Sequence, residues 1–231
     1  MCFSATASFS LSAILATVGG ASVARAESPR TRLFAAIPLL FAAQQAAEGT
    51  VWLTIDTPPS ETMLHRTAVM SFLALALVIW PLWAPASLWL VEKSEHRRKV
   101  ISAFFALGIV IAAVAGTLLL RWQPVASIAG HSIDYQHATM GNLIPEWVLL
   151  LAYAVPTVGS FFASTIAMVP KIGAMLFVSL VVAAIVKHAA LTSVWCFFAA
   201  ALSVLILVAV TRMNSAPSMM FASTGSPEGA G

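Results

Sequence analysis

The chain has 231 residues, 60% of them hydrophobic and 9% charged, and its mean hydropathy of +0.91 excludes a water-soluble domain. Its formal net charge of +3 and pI of about 9.2 come from 12 Lys and Arg scattered through short connections between apolar runs. Membrane topology accounts for that pattern, and a nucleic-acid partner is excluded.

Seven apolar runs predict spanning helices at about 20 residues per crossing. They lie near Ser4 to Ala24, Leu33 to Ile55, Thr67 to Val91, Val100 to Leu120, Trp147 to Val169, Ile172 to Ala190 and Ser193 to Val210. The first is rich in Ser, Ala and Gly. It ends in a small-x-small triplet, Ala24 to Ala26, of the kind a signal peptidase cuts, but no positive charge precedes its apolar part.

Basic residues gather on the cytoplasmic side of short loops. Arg25, Arg30, Arg32, Lys93, Arg97, Arg98, Lys99, Lys171 and Arg212 fall on one predicted side, and Arg66, Arg121 and Lys187 on the other. The split predicts an all-α, seven-transmembrane helix bundle with its amino terminus outside, its carboxyl terminus cytoplasmic and its first helix uncleaved. Residues 1–212 form the transmembrane domain, and 213–231, nearly without charge, read as a disordered cytoplasmic tail.

Gln44, Gln45 and Glu48 interrupt the second run. Helical spacing puts Gln44, Glu48 and Trp52 on one stripe with Gln45 beside it, and a carboxylate in a spanning segment marks a functional position. The third run holds Trp80, Pro81, Trp83 and Pro85, and the prolines predict a kink, as do Pro38 and Pro156 in runs two and five. Trp52, Trp122, Trp147 and Trp195 fall near the outer ends, as an interfacial aromatic belt requires. The longest connection, residues 121–146, reads as a structured lid or re-entrant segment.

With this topology, Cys2, His65, His131, Asp134, His137, His188 and Cys196 share the outer side, above Glu48. Imidazole, thiolate and carboxylate are ligands of zinc and copper, so Cys2, His65, His131, Asp134, His137 and His188 are candidate metal ligands. No HxxxH or HExxH spacing supports them. Cys2 has alternatives to metal binding: after loss of Met1 its thiol and amine suit a nucleophile and base, it can form a disulfide with Cys196, or both can be inert thiols. Lys187 lies at the depth of Glu48, which allows an intramembrane ion pair; the competing reading has Glu48 protonated on Gln44 or Gln45 and Lys187 reaching the surface.

The opening Met1 to Phe9, the stretch Ile37 to Phe41 with Glu48, Gly49 and Trp52, and Ser193 to Ala200 resemble a family of uncharacterised bacterial multi-pass membrane proteins. In that family a histidine often stands where this chain has Gln44 or Gln45. The resemblance implies a bacterial inner-membrane protein and no assigned activity. The seventh run lacks the lysine of the microbial rhodopsins and the paired histidines of the zinc-holding ceramidase and adiponectin-receptor bundles.

Two functions follow as expectations. One is a metal-dependent enzyme acting on a lipid-like or small amphiphilic substrate, with Glu48 moving a proton and zinc or copper activating water. The other is a proton- or ligand-coupled carrier or sensor built on Glu48 and Lys187.

Overall fold

Ser4 starts helix α1 (Ala5–Ala24) with its hydroxyl oxygen accepting the Ala7 N–H at 3.2 Å. The computed structural model describes residues 4–55, 63–121, 124–129, 132–136, 146–186 and 191–222. Helix α1 packs along α3 (Ile37–Thr54) through small residues, with Ser8, Gly19 and Ser22 buried. Apolar helices approach this closely only where side chains are small. A Cβ at Gly19 would run into Leu39, and Ser12 Oγ donates to the Ala42 carbonyl at 2.8 Å.

A short helix α2 (Pro29–Ala35) precedes α3, and the chain breaks at Ala36. Pro38, in the first turn of α3, occupies a position where a missing N–H costs nothing, so the predicted kink becomes a helix start.

Residues 63–91 form one long body with an altered middle. Helix α4 (Met63–Leu73) passes through a π-helical turn (Ala74–Ile79) into α5 (Trp80–Val91). The Trp80 N–H reaches the Leu75 carbonyl, five residues back. The next donor in that register would be residue 81 to the Ala76 carbonyl, but Pro81 has no N–H. Tyr153 Oη donates to Ala76 instead, at 2.7 Å. Pro85 likewise cannot serve the Pro81 carbonyl. Helix α6 (Glu95–Arg121) brings Gly108 against that oxygen, where a Cβ would collide with it.

The connection after α6 is an antiparallel hairpin, β1 (Val125–Ala129) with β2 (Ser132–Gln136), in which Ala126 faces Tyr135 and Ser127 faces Asp134. Ile133 and Tyr135 are buried, and the Tyr135 ring stacks on Phe72 with centroids 4.6 Å apart. The lid expected in this stretch is a strand pair seated on one end of the bundle.

Helix α7 (Glu146–Ala154) meets a second π-helical turn (Val155–Gly159), which contains Pro156, and ends in α8 (Ser160–Phe162). The fifth predicted run therefore stops at Phe162, not Val169, and a turn leads to α9 (Val169–Val186). The seventh run is divided at Ser203 into α10 (Leu191–Leu202) and α11 (Val204–Ala222), so helix continues past the boundary drawn at Arg212.

Among the described residues three bodies, Ala5–Ala24, Met63–Val91 and Glu95–Arg121, are long and apolar enough to cross a membrane. Leu150–Phe162, Val169–Ile185 and Phe198–Met213 are apolar but shorter. The described residues are mostly helical, and their core has two parts. One gathers Leu15, Phe34, Phe41, Trp80, Phe161 and Trp195; the other, beneath the hairpin, gathers Val51, Val69, Phe72, Leu119, Ile133 and Tyr135.

Candidate functional site

Between the two apolar clusters, α3 contributes a polar layer. Gln44, Gln45 and Glu48 have no solvent exposure at all, so the stripe predicted to face the interior does so. Their spacing of three and four residues puts them on neighbouring turns. Trp80, at the junction of the π-turn and α5, donates its indole N–H to Gln44 Oε1 at 2.7 Å. Its ring stacks on Phe41 with centroids 4.1 Å apart. An indole nitrogen can only donate, which fixes the Gln44 amide with its oxygen toward Trp80. Gln45 Nε2 donates to Glu48 Oε2 at 3.3 Å.

Three polar atoms of this layer and its edge have no hydrogen-bond partner among the described residues: Gln44 Nε2, Gln45 Oε1 and Trp52 Nε1. Buried amide groups left unmatched cost about 1–3 kcal/mol each, so folded chains rarely keep them without a guest or water to complete them.

Beside it, toward the start of α3, Phe41, Trp80, Tyr153, Phe161, Leu176 and Trp195 line a cavity of about 40 Å³. Tyr153 and Trp195 meet edge to face at 5.6 Å, and Trp195 donates its indole N–H to the Leu176 carbonyl at 3.4 Å. Trp195 is 8% exposed, an interior residue where the sequence suggested an interfacial belt. Trp52 is half-buried, while the side chains of Trp122 and Trp147 lie outside the described residues.

Of the candidate metal ligands, Cys2, His131, His137 and His188 lie outside the described residues, as does Lys187; Cys196 is described only through the backbone of α10. His65, on α4, is 7% exposed, with Nδ1 2.9 Å from Thr54 Oγ1 at the end of α3. Asp134 is partly buried and pairs with Ser127; strand alternation turns it to the hairpin face opposite Ile133 and Tyr135. Among the described residues no three His, Cys, Asp or Glu side chains converge on one point.

Sequence reading missed a second buried acid. Glu92, 4% exposed just past α5, takes Oε1 bonds from Lys93 N and Ser94 N, both at 2.9 Å, and from Thr165 Oγ1 at 2.6 Å. Its Oε2 accepts from Thr165 N at 2.7 Å and Ser164 Oγ at 3.2 Å. Burial works to raise the pKa of this carboxyl, but the bonds from Thr165, Ser94 and Ser164 prevail and hold it below its ordinary 4.5. The carboxylate ties the α5–α6 turn to the turn before α9. Its signal was one of two acids in a basic loop and a Ser-Thr pair 72 residues on, joined only by the fold.

A family model described as "Family of unknown function (DUF6629)" matches residues 1–221. No curated protein and no solved structure matches the chain.

Proposed function

Since the chain belongs to this family of unknown function, we propose a role from its geometry: an integral membrane protein that binds a small amphiphilic molecule inside its helical bundle. The polar part of the guest lies against Gln44, Gln45 and Glu48, and its apolar part enters the aromatic cavity next to them. The observation that carries this reading is the pair of fully buried, unmatched amide atoms on Gln44 and Gln45 beside a buried carboxylate. In a bundle interior such groups are retained where a guest completes them.

The test is to purify the full chain in mild detergent and identify what travels with it by mass spectrometry of the extracted small molecules. One amphiphile near one per chain, lost from Gln44→Leu and Gln45→Leu while both variants remain folded, is the expected result. Equal recovery from the variants would overturn the site.

The same proposal places the protein in a bacterial inner membrane with seven crossings and the Glu92 end in the cytoplasm, in line with its basic loops. Thiol-labelling of single cysteines introduced at Ser94 and Ser127 reads the orientation, with only Ser127→Cys expected to react from outside in intact cells. A second reading, a carrier, draws support from the two π-helical turns with their prolines in the bodies flanking Trp80, since broken helices surround the guest in many carriers. A metal enzyme would draw its ligands from Cys2, His65, His131, Asp134, His137 and His188. Stoichiometric zinc or copper that disappears in the His131→Ala, His137→Ala double variant would establish it.

A further inference from the structure

Resting on that interior site, we infer the class of guest: a neutral, short-chain amphiphile whose head carries a hydrogen-bond acceptor and a donor together, as a carboxamide does. The inference follows from counting the open positions. Gln44 has spent its oxygen on Trp80 and keeps an NH₂ that no described residue accepts. Gln45 has spent an N–H on Glu48 and keeps an oxygen to which no described residue donates. Each residue has 0% exposure, so these are requirements of the interior and not of a wet surface.

Trp52 Nε1 is also open but lies two turns farther along α3, about 12 Å from Gln44 and on the side away from the cavity; on the two glutamines one donor atom and one acceptor atom remain, neither with a formal charge. A carboxylate guest would satisfy the Gln44 donor, leave the Gln45 oxygen bare and bring a second acid toward Glu48 in a medium that screens poorly. An ammonium guest would satisfy Gln45 and leave the Gln44 NH₂ facing a cation. A carboxamide answers both, and so does a carboxylic acid that keeps its proton.

The apolar end is limited by the cavity. Its 40 Å³ is about three times the ~10–15 Å³ that one water needs, so it takes a short chain end and not a long acyl tail. Phe41, on its wall, is one helical turn from Gln45, about 6 Å along the axis, and Trp80, also on its wall, bonds Gln44, so the cavity adjoins the polar layer.

The experiment uses the full chain in lipid nanodiscs, free of co-purified small molecules, with hexanamide, hexanoic acid, hexylamine and hexane as probes. Binding is read as a rise in unfolding temperature and a change in tryptophan emission. Hexanamide is expected to bind, and hexanoic acid only at a pH low enough to keep its proton. Gln44→Leu and Gln45→Leu should each weaken hexanamide about tenfold, the loss of one good hydrogen bond. Ala199→Val, which narrows the cavity from α10, should weaken hexanamide while leaving the unfolding temperature of the empty protein close to that of the wild type.

Tighter binding of hexylamine than of hexanamide, lost in Glu48→Gln, would overturn the neutral head and leave the interior site standing. Hexane binding as well as hexanamide, with the glutamine variants unaffected, would overturn both the head and the polar site. No binding by any of the four would overturn this guest class, and a different amphiphile recovered from the purified chain would still uphold the site.

Discussion

Glu92 shows how much a single side chain can hold. Five donors meet its two oxygens, three of them backbone N–H groups from two separate turns. Glu92→Ala leaves those N–H groups without an acceptor and should cost about 1–3 kcal/mol, measured by reversible unfolding in mixed micelles. The acid response follows from the lowered pKa. The unfolded chain takes up a proton on this carboxyl before the folded one does, so its contribution is full above about pH 4.5 and drains away as pH falls through the lower folded value. Glu92→Gln should remove that part of the acid sensitivity, and an unchanged acid profile would argue against the assignment. Trp80→Phe keeps an aromatic ring over Phe41 and removes the indole donor to Gln44 Oε1, so it should destabilise by about 1–2 kcal/mol despite its conservative shape.

At the scale of elements, the prolines of residues 74–91 act through what replaces their missing N–H groups. Tyr153→Phe strips the Ala76 carbonyl of its donor and keeps the ring against Trp195, so a loss of about 1 kcal/mol is expected in thermal unfolding. Gly108→Ala presses a methyl on the Pro81 oxygen, and α6 must move away from α5; the expected loss is about 1–3 kcal/mol. A disturbed helix near Pro81 and Pro156 was legible, because proline cannot donate wherever it sits; Pro38 instead opens a helix and Pro85 lies inside one. The π-helical form of the first turn was not, since the donor that meets its Ala76 carbonyl is a tyrosine 77 residues away. The same distance problem hid the hairpin: residues 121–146 read as a covered connection, but strand pairing there depends on Phe72 receiving Tyr135. Trp195 was misread because position near a helix end is visible in a sequence and the neighbour that buries a ring is not.

At the scale of the whole molecule, Gln44, Gln45 and Glu48 stood out because polar groups in an apolar run are costly whatever the fold, and they occupy the interior as their spacing required. What they face could not be read, since Trp80 lies 36 residues from Gln44. The loop-charge split that organised the sequence reading is tested by labelling, as described above. In a Trp80→Phe background, where no indole N–H is stranded, replacing Gln44, Gln45 and Glu48 together with Leu should leave a protein at least as resistant to heat as its Trp80→Phe parent, because well-packed apolar residues often match buried polar groups in stability. The cost should appear as heterogeneity, seen as broadened resonances in NMR spectra of the triple variant.

That heterogeneity follows from where the layer lies, sandwiched between two greasy halves that look alike to a sliding helix. An apolar rod can slip along its neighbours by a turn and lose little contact, much as a smooth piston moves in its sleeve. A tooth of amide and acid at one height stops the motion, because a slip of one turn would drive Gln44 off Trp80 and strand the acid among aliphatic side chains. Even with nothing bound, these three residues set the vertical alignment of α3 against its neighbours.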